Sequence, residues 1–534
     1  MSSKSILILG AGLMQKPAID SAKSLGLKVF VIDANLDALC VPLADVFKQI
    51  DLKDRDKIAE YAVELKEKEN LVSIFTAGTD FSANVAYASE KAGLLSHSYE
   101  AALNASDKTL MRNCFDKAKV SSPKFIKIER NRICEILTPE YVSKITYPCV
   151  VKPVDNMGAR GCRMIRDKSE LLFSVEEAIK YSRSGNCILE EYMCGPEFSI
   201  DALVYDGTMT ITGFADRHIY YPPYFIEMGH TMPTDISNDK YMELVKTFAD
   251  GVHALGLTRG AAKADIKYTE NGPMIGEIAA RLSGGYMSGW TYPYSSDLNL
   301  TKAAIQISCG LTPDELEANR HGLPVDGQFK LYQADSKNVS AERAWISIPG
   351  IVKKVHGLDA ENTEYVKHIF PRAKEGDKVC FPRNNVEKCG NVISVADTRE
   401  RAVSACEKVI SGIILELEKD NPETESFLMG NNLFNEKDFP PFAFNLSNSV
   451  IEEMYEEVAQ KDFMMPANIG VKNFIPKCLN KPEILSVKDW NYISIEKTLE
   501  LFDKLKNEHK EIPYRKFWTY LVRGGIQGAL YAAE

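Results

Sequence analysis

The sequence predicts a multidomain chain of mixed α/β and α+β class: an N-terminal doubly wound parallel sheet, a mixed central module, a β-rich C-terminal domain and a mostly helical tail. Three observations predict it. At 534 residues the chain exceeds what one hydrophobic core organises, so about three or four domains are expected. Over the first hundred residues, short apolar runs of buried-strand character alternate with helix-like stretches. Farther on, glycine- and proline-punctuated strand runs take over, and helical periodicity returns after Lys419.

Taken in order, Ile6-Leu-Ile-Leu9 reads as a strand, Gly10-Ala-Gly12 as a turn into a helix that Gly26 stops, and Val29-Phe-Val-Ile32 as a second, parallel strand ending at Asp33. A dinucleotide site would need a third glycine where Met14 and Gln15 stand, so the pair reads as a structural turn. Val72-Ser-Ile-Phe75 is another strand, and Thr76 to Asp80 opens a helix through Lys91. Ala101 to Lys119 has helical periodicity, and Pro148-Cys-Val-Val-Lys-Pro153 is a strand. Leu244 to Leu255 reads as a helix, and Ala261 to Tyr268 with Pro273 to Ala280 as a hairpin closed by Glu270-Asn271-Gly272. The stretch 350–395 is turn-rich and β-like, Arg399 to Leu417 reads as one long helix, and Ile451 to Gln460 and Ile495 to Lys506 as helices in the tail. The expected domains are 1–104, 105–330 with a small lid near 148–205, 331–418 and 419–534.

Composition narrows the partners. Lys plus Arg total 64 against 74 Asp plus Glu, a net charge of −10 that disfavours nonspecific binding to nucleic acid or anionic membrane. Small molecules are the expected partners. The N-terminal apolar run is too brief for a signal peptide, no later run reaches membrane length, and the 12 cysteines form no C-x-x-C pair, so a cytoplasmic, disulfide-free chain is expected.

The most informative segment is Glu277-Ile-Ala-Ala-Arg281-Leu-Ser-Gly284-Gly285, a carboxylate and a guanidinium four residues apart before a double glycine. Upstream, Lys108 and Lys152 could reach phosphate oxygens, and the loop Asp155-Asn-Met157-Gly158-Ala-Arg-Gly161 could wrap them with backbone N–H groups. Glu190, Glu191 and Met193 end a strand and Glu197 follows a turn, suited to an adenine amino group and ribose hydroxyls, with a solvated acidic patch as the bland alternative. Asp265 and Glu277 are hard oxygen ligands that the hairpin brings opposite each other, as a magnesium ion bound to phosphates requires. Arg281 could clamp a carboxylate or phosphate through two parallel hydrogen bonds. Glu227 and His230 lie in an irregular segment ending at Pro233 and could share a pocket. There is no nucleophile elbow and no zinc-ligand spacing.

These residues resemble the ATP-grasp superfamily from the N-terminal sheet to about Leu417. Ser106-Asp-Lys108 with Met111-Arg112 is similar to its first lysine motif, Val150-Val-Lys-Pro153 to its second, and Asp155 to Cys162 to its mobile loop. Glu190-Glu-Tyr-Met193 resembles the adenine hinge, Glu197 the ribose position, Asp265 and Glu277 the magnesium carboxylates, and Arg281 the arginine at the transferred phosphoryl group. One departure is Ala279, where the family usually carries Asn. Within the superfamily, Phe225-Ile-Glu227-Met-Gly-His230 with Pro233, the Arg281 to Gly285 turn and the β domain are most similar to L-amino-acid ligases.

The resemblance implies an ATP-dependent carboxylate-amine ligase using Mg²⁺, or Mn²⁺ in its place. It would join small carboxylates and amines, amino acids above all, through an acyl phosphate, releasing ADP and phosphate. A homodimer fits the same resemblance. Rival readings are a purine-pathway or bicarbonate-using enzyme, and a nucleotide-binding regulator without catalysis.

Overall fold

The computed structural model describes residues 3–360, 363–431, 439–467, 469–506 and 510–534. Contacts divide the chain into one unit of Met1–His218, His230–Ser340 and Val395–Arg399, and a second of Ile219–Gly229, Ala341–Ser394 and Glu400–Glu534.

The first unit begins with β1 (Ser5–Leu9), α1 (Lys16–Ser24), β2 (Lys28–Asp33), β3 (Val46–Gln49), α2 (Arg55–Lys68), β4 (Leu71–Phe75) and α3 (Ser82–Lys91). The four strands form a parallel sheet in the order β3-β2-β1-β4. Ile6, Ile8, Val29 and Val31 pack with Ala18 and Ile19 of α1, while Leu7, Leu9, Phe30 and Ile32 pack with Ile58 and Leu65 of α2. Alternate residues thus feed opposite cores, which is what double winding means physically. The Asp33 carboxylate accepts the Ala11 N–H at 2.8 Å, and Gln15 Oε1 accepts the Ala77 N–H at 3.1 Å, so the glycine turn is tied up by the protein itself.

Two helices, α4 (Tyr99–Asn104) and α5 (Lys108–Ala118), replace the single one expected over Ala101 to Lys119. The break is chemical: Asp107 caps α5 by accepting the Thr109 and Leu110 N–H groups, which starts a helix at Lys108 instead of continuing one. Next come β5 (Phe125–Glu129), β6 (Cys149–Pro153), β7 (Arg163–Ile165) and β8 (Asn186–Glu191), an antiparallel sheet in the order β5-β8-β6-β7. The helix Leu171–Tyr181 covers this sheet.

A larger antiparallel sheet follows from β9 (Glu197–Tyr205), β10 (Thr208–Tyr220), β11 (Ile226–Met232), β12 (Gly260–Thr269) and β13 (Gly272–Ala279). In the first unit β9 pairs with β10 and β12, and β12 with β13 through the tight Asn-Gly turn. The strand Lys330–Ala334 lies parallel to the start of β10. Helix Asn238–Ala254 and α5 close one face of this sheet over Phe198, Ile200, Phe214, Ile266 and Ile278. The stretch 225–233, expected to be irregular, contains the fully buried strand β11; Ile226, Met228, Thr231 and Met232 suit a strand enclosed on both sides.

In the second unit Gly350–His356 pairs antiparallel with Lys378–Val379 and Ile414–Leu417, and Val366–Pro371 pairs with strand Gly390–Ala396. The long helix expected over Arg399 to Leu417 ends at Ile410, and Ile414–Leu417 is a strand. Gly412 stops the helix, and the apolar run after it finds a ladder partner. The tail carries the expected helices as Asn448–Ala459 and Ile495–Leu505, and adds Tyr514–Ala532. That last helix is buried along most of its length and kinks at Gly525, whose φ is +57°. Among the described residues no helix is long and apolar enough to cross a membrane, and all twelve cysteines are free.

Candidate functional site

The site grows from the first turn of α5. Capping by Asp107 fixes Lys108, whose ammonium donates to the Asn156 carbonyl at 3.0 Å and stands 3.6 Å from Glu277 Oε2. One turn on, the fully buried Arg112 donates to Glu190 Oε1 at 2.8 Å and to the Gly276 carbonyl at 2.6 Å. Lys152 of β6 approaches the other oxygen, Glu190 Oε2, at 2.6 Å. Burial pushes the Glu190 carboxyl up, but Arg112 and Lys152 outweigh it and hold the group below the usual carboxylate range. Glu190 is therefore an ionised post between two cations, the arrangement that makes a buried carboxylate tolerable.

On the facing hairpin, Asp265 and Glu277 are register partners. Glu277 is opposed by burial and favoured by Lys108, Lys263, Lys152 and Arg281, which together bring its carboxyl down to about 2. Asp265 is held by Lys263 of its own strand and by Arg217 Nη1 of β10 at 2.6 Å. The same Arg217 nitrogen lies 2.6 Å from Glu197 Oε1, and Lys267 Nζ 3.4 Å from Glu197 Oε2. Lys267 also donates to the Met193 carbonyl at 3.2 Å and sits 5.3 Å from the Tyr192 ring centre. Glu191, half-buried at the end of β8, donates its N–H to the Lys124 carbonyl.

The loop after β6 is anchored at its base. Asp155 accepts from the Ser182 hydroxyl and from the Arg183 and Ser184 N–H groups, and Asn156 donates to the Tyr181 carbonyl at 2.7 Å. Met157 follows half-buried. Gly158 and Gly161 both have φ of +69°, and a Cβ on Gly161 would lie 2.8 Å from the Tyr181 ring. Only glycine fits there.

Arg281 donates to the Leu282 carbonyl at 3.0 Å, and the turn behind it is braced by Ser283, whose N–H and hydroxyl both donate to Asp201 Oδ2 at 2.9 and 2.7 Å. Burial pushes the Asp201 carboxyl up to about 6 against those hydrogen bonds. Gly284 lies against Gly78, where an added Cβ would meet the Gly78 Cα at 3.4 Å. Glu227 and His230 are both buried in β11, three residues apart, and strand alternation turns such positions to opposite faces. The Glu227 carbonyl accepts from Lys388 at 2.5 Å.

The structure thus brings Lys108, Lys152, Glu190, Asp265, Glu277 and Arg281 into one charged cluster with Glu197 linked to it through Arg217. Sequence reasoning missed Lys263, Arg217, Lys267 and Asp201. Part of the signal was legible: Lys263, Asp265 and Lys267 alternate on one strand, so they share a face. Two carboxylates from a hairpin, one of them firmly ionised, suit a divalent ion, while Ala279 offers no third oxygen. Among the described residues no group of three or more acidic, His or Cys side chains forms a metal cage, so phosphate oxygens would have to complete the coordination.

Residues 145–289 match the ATP-grasp domain family, and residues 344–418 match the L-amino acid ligase C-terminal domain 2. The chain is 22% identical to carnosine synthase 1 of Gallus gallus over 59% of its own length and 36% of that protein's. It is 26% identical to alanine–anticapsin ligase of Bacillus subtilis over 44% of its length and 53% of the relative's. It spans about half or less of the length of the curated relatives it first matches. The crystal structure of an L-amino acid ligase from Bacillus licheniformis superposes with a TM-score of 0.66 at 18% identity, over 78% of this chain and all of that one. At that identity the likeness is one of fold.

Proposed function

We propose that this chain, which carries an ATP-grasp domain and an L-amino acid ligase C-terminal domain, is an ATP-dependent carboxylate-amine ligase. The observation that carries the reading is the convergence of Lys108, Lys152, Lys263 and Arg281 on one ionised carboxylate, Glu277, with Asp265 paired across the ladder. Phosphoryl transfer between two anions calls for this surplus of fixed positive charge.

Lys108 and Lys152 hold the phosphates, and the loop from Asp155 to Cys162 covers them and excludes water. Glu190, Glu191 and Met193 border the adenine, and Glu197 the ribose. Asp265 and Glu277 would hold Mg²⁺ or Mn²⁺, which supplies charge neutralisation at the phosphate oxygens when bound. Arg281 steadies the substrate carboxylate as one of its oxygens attacks the γ-phosphorus and the bond to the β-phosphate oxygen breaks, freeing ADP. An amine nitrogen then attacks the acyl carbon, loses a proton and expels phosphate, leaving an amide. Gly284 borders the carboxylate and amine sites in this assignment, and of Glu227 and His230, which strand alternation turns to opposite faces of β11, only one can border them as well. Amino acids are the substrate class, supported by the printed names of the ligases to which the chain is similar.

The test is incubation of purified protein with Mg-ATP and pooled amino acids and small carboxylates, following phosphate release and product masses. A product of two substrate masses less water, formed with stoichiometric ADP, is the expected result. Nucleotide binding without substrate-dependent phosphate release from any pool would count against it.

A further inference from the structure

An ion pair outside the charged cluster joins the N-terminal sheet to the sheet that carries the phosphate loop. Arg183, in the turn between helix Leu171–Tyr181 and β8, donates to the carboxylate of Asp80 in the turn after β4. Its guanidinium also lies over the Phe81 ring, 5.1 Å from the ring centre.

The two ends of this pair are held differently. Asp80 stands on a fixed turn. The Thr76 hydroxyl donates to the Leu9 carbonyl at 2.9 Å, Gln15 Oε1 accepts the Ala77 N–H, and the Gly78 N–H donates to the Leu282 carbonyl at 3.2 Å. Gly78 has φ of +62°, and a Cβ there would lie 3.0 Å from the Gly284 Cα, so the two backbones meet without slack. Leu282 follows Arg281, and the turn beneath Asp80 is thereby tied to the segment that carries Arg281.

Arg183 rides instead on the base of the phosphate loop. Asp155 accepts from the Ser182 hydroxyl and from the Arg183 and Ser184 N–H groups at 2.7 to 3.0 Å, and Asn156 donates to the Tyr181 carbonyl at 2.7 Å. The turn and the loop base therefore move together. On its other side the base is held by α5, where the Lys108 N–H donates to the Val154 carbonyl at 3.0 Å.

Exposed ion pairs contribute little on average, so the setting decides. The Asp80 side chain is 14% exposed and that of Arg183 41%. The sheltered carboxylate is screened less than a surface one, and the ring face adds its own attraction for the cation. A loop that admits nucleotide and then excludes water needs a contact that breaks on every turnover. A half-exposed pair can do so, because opening it strands no buried charge.

We infer that Asp80 and Arg183 are positioning residues: their pairing latches the base of the loop Asp155 to Cys162 to the turn that is tied to Arg281, and its release lets the loop open. The inference deepens the ligase reading, on which it rests for the role of the loop over the phosphates.

Hydrogen exchange of peptides spanning 155–162 tests it in the ligand-free full chain, comparing the parent with Asp80→Ala, Arg183→Ala and the double variant. Each single substitution should speed exchange of the loop by about threefold, the scale of a partly sheltered ion pair. The double variant should exceed Arg183→Ala by no more than about 1.5-fold, since both changes remove the same contact. Exchange within β6 and β8 and the melting temperature should match the parent, which separates a latch from general loosening. Release of MgADP, followed by stopped flow, should quicken in the same order. Unchanged loop exchange in the single variants, a double variant whose effect is the product of the two, or equal loosening of β6 and β8 would overturn the inference. A parent chain that does not bind MgADP would count against the ligase reading alone, because the exchange measurement needs no nucleotide.

Discussion

Asp265 and Glu277 are partners across the β12–β13 ladder, yet their carboxylates are drawn to different cations: Asp265 to Lys263 and Arg217, Glu277 to Lys108 at 3.6 Å. Lys263 stands opposite Ala279, the position that has no side-chain oxygen to offer a metal. On the proposed assignment its ammonium would compete with a divalent ion for the same acids. Lys263→Met should therefore tighten Mn²⁺ binding by roughly tenfold, or about 1.4 kcal/mol. Titration followed by electron paramagnetic resonance of free Mn²⁺ reads this directly; unchanged or weaker binding would show that Lys263 does not compete with the ion.

Lys152 should matter for turnover more than for folding. Its loss leaves Glu190 still paired to Arg112, so the buried carboxylate keeps a counter-charge. Lys152→Ala is expected to lower ADP release by on the order of 100-fold, about 3 kcal/mol of barrier, with an unchanged circular dichroism spectrum. Near-normal turnover in the folded variant would remove Lys152 from the phosphate site.

Arg112 should behave in the opposite way. It is fully buried and ties α5 to Glu190 and to the Gly276 carbonyl beside Glu277. Arg112→Met removes one partner of a buried pair and should cost roughly 3–5 kcal/mol of stability. Urea unfolding measures it, and a loss under 1 kcal/mol would refute the structural weight given to this pair.

The loop over the site depends on Gly161, where φ is +69° and the Tyr181 ring leaves no room for a side chain. Gly161→Ala should slow turnover at least tenfold while changing nucleotide affinity less than threefold. Equal losses in both, seen by calorimetry and phosphate release, would mean that the loop binds nucleotide without a closing step.

In the second unit, burial pushes the Asp489 carboxyl from its ordinary 3.8 up to about 7, against hydrogen bonds from the Ile493 and Asn491 N–H groups. Below pH 3.8 the group is protonated folded or unfolded and costs nothing. As pH climbs toward 7 only the unfolded chain releases the proton, so stability falls, and the penalty is complete above 7. Asp489→Asn keeps an acceptor for the two N–H groups. It should match the parent near pH 4 and exceed it at pH 8 by at most on the order of 4 kcal/mol. Thermal melts at the two pH values decide, and a gain independent of pH would assign the effect to something other than this proton.

Local chemistry was what the sequence disclosed. The Asn271-Gly272 turn alone placed Asp265 opposite Glu277, and the β-α-β pattern of the first hundred residues placed the parallel sheet. What it hid depended on distant packing. Arg112, Lys152 and Glu190 meet from three separate elements, and Arg217 reaches Asp265 from another strand. The helix Tyr514–Ala532 was obscured because Gly524, Gly525 and Gly528 look like breakers. They are demanded instead by close approach: a Cβ on Gly528 would lie 2.0 Å from the Tyr520 carbonyl oxygen, and one on Gly524 2.7 Å from Leu428.

The charged cluster has a kinetic corollary. Seven cationic side chains, Lys108, Arg112, Lys152, Arg217, Lys263, Lys267 and Arg281, face five carboxylates, Glu190, Glu197, Asp201, Asp265 and Glu277, so the site is locally positive inside a chain of net charge −10. An approaching nucleotide polyanion is repelled while it is far away and attracted only at the mouth. Salt shortens the reach of both fields, to about 8 Å at physiological ionic strength, and erases the distant repulsion first. The association rate for nucleotide should rise with the first additions of salt before it declines, a non-monotonic profile in place of the steady fall of a uniformly attractive surface.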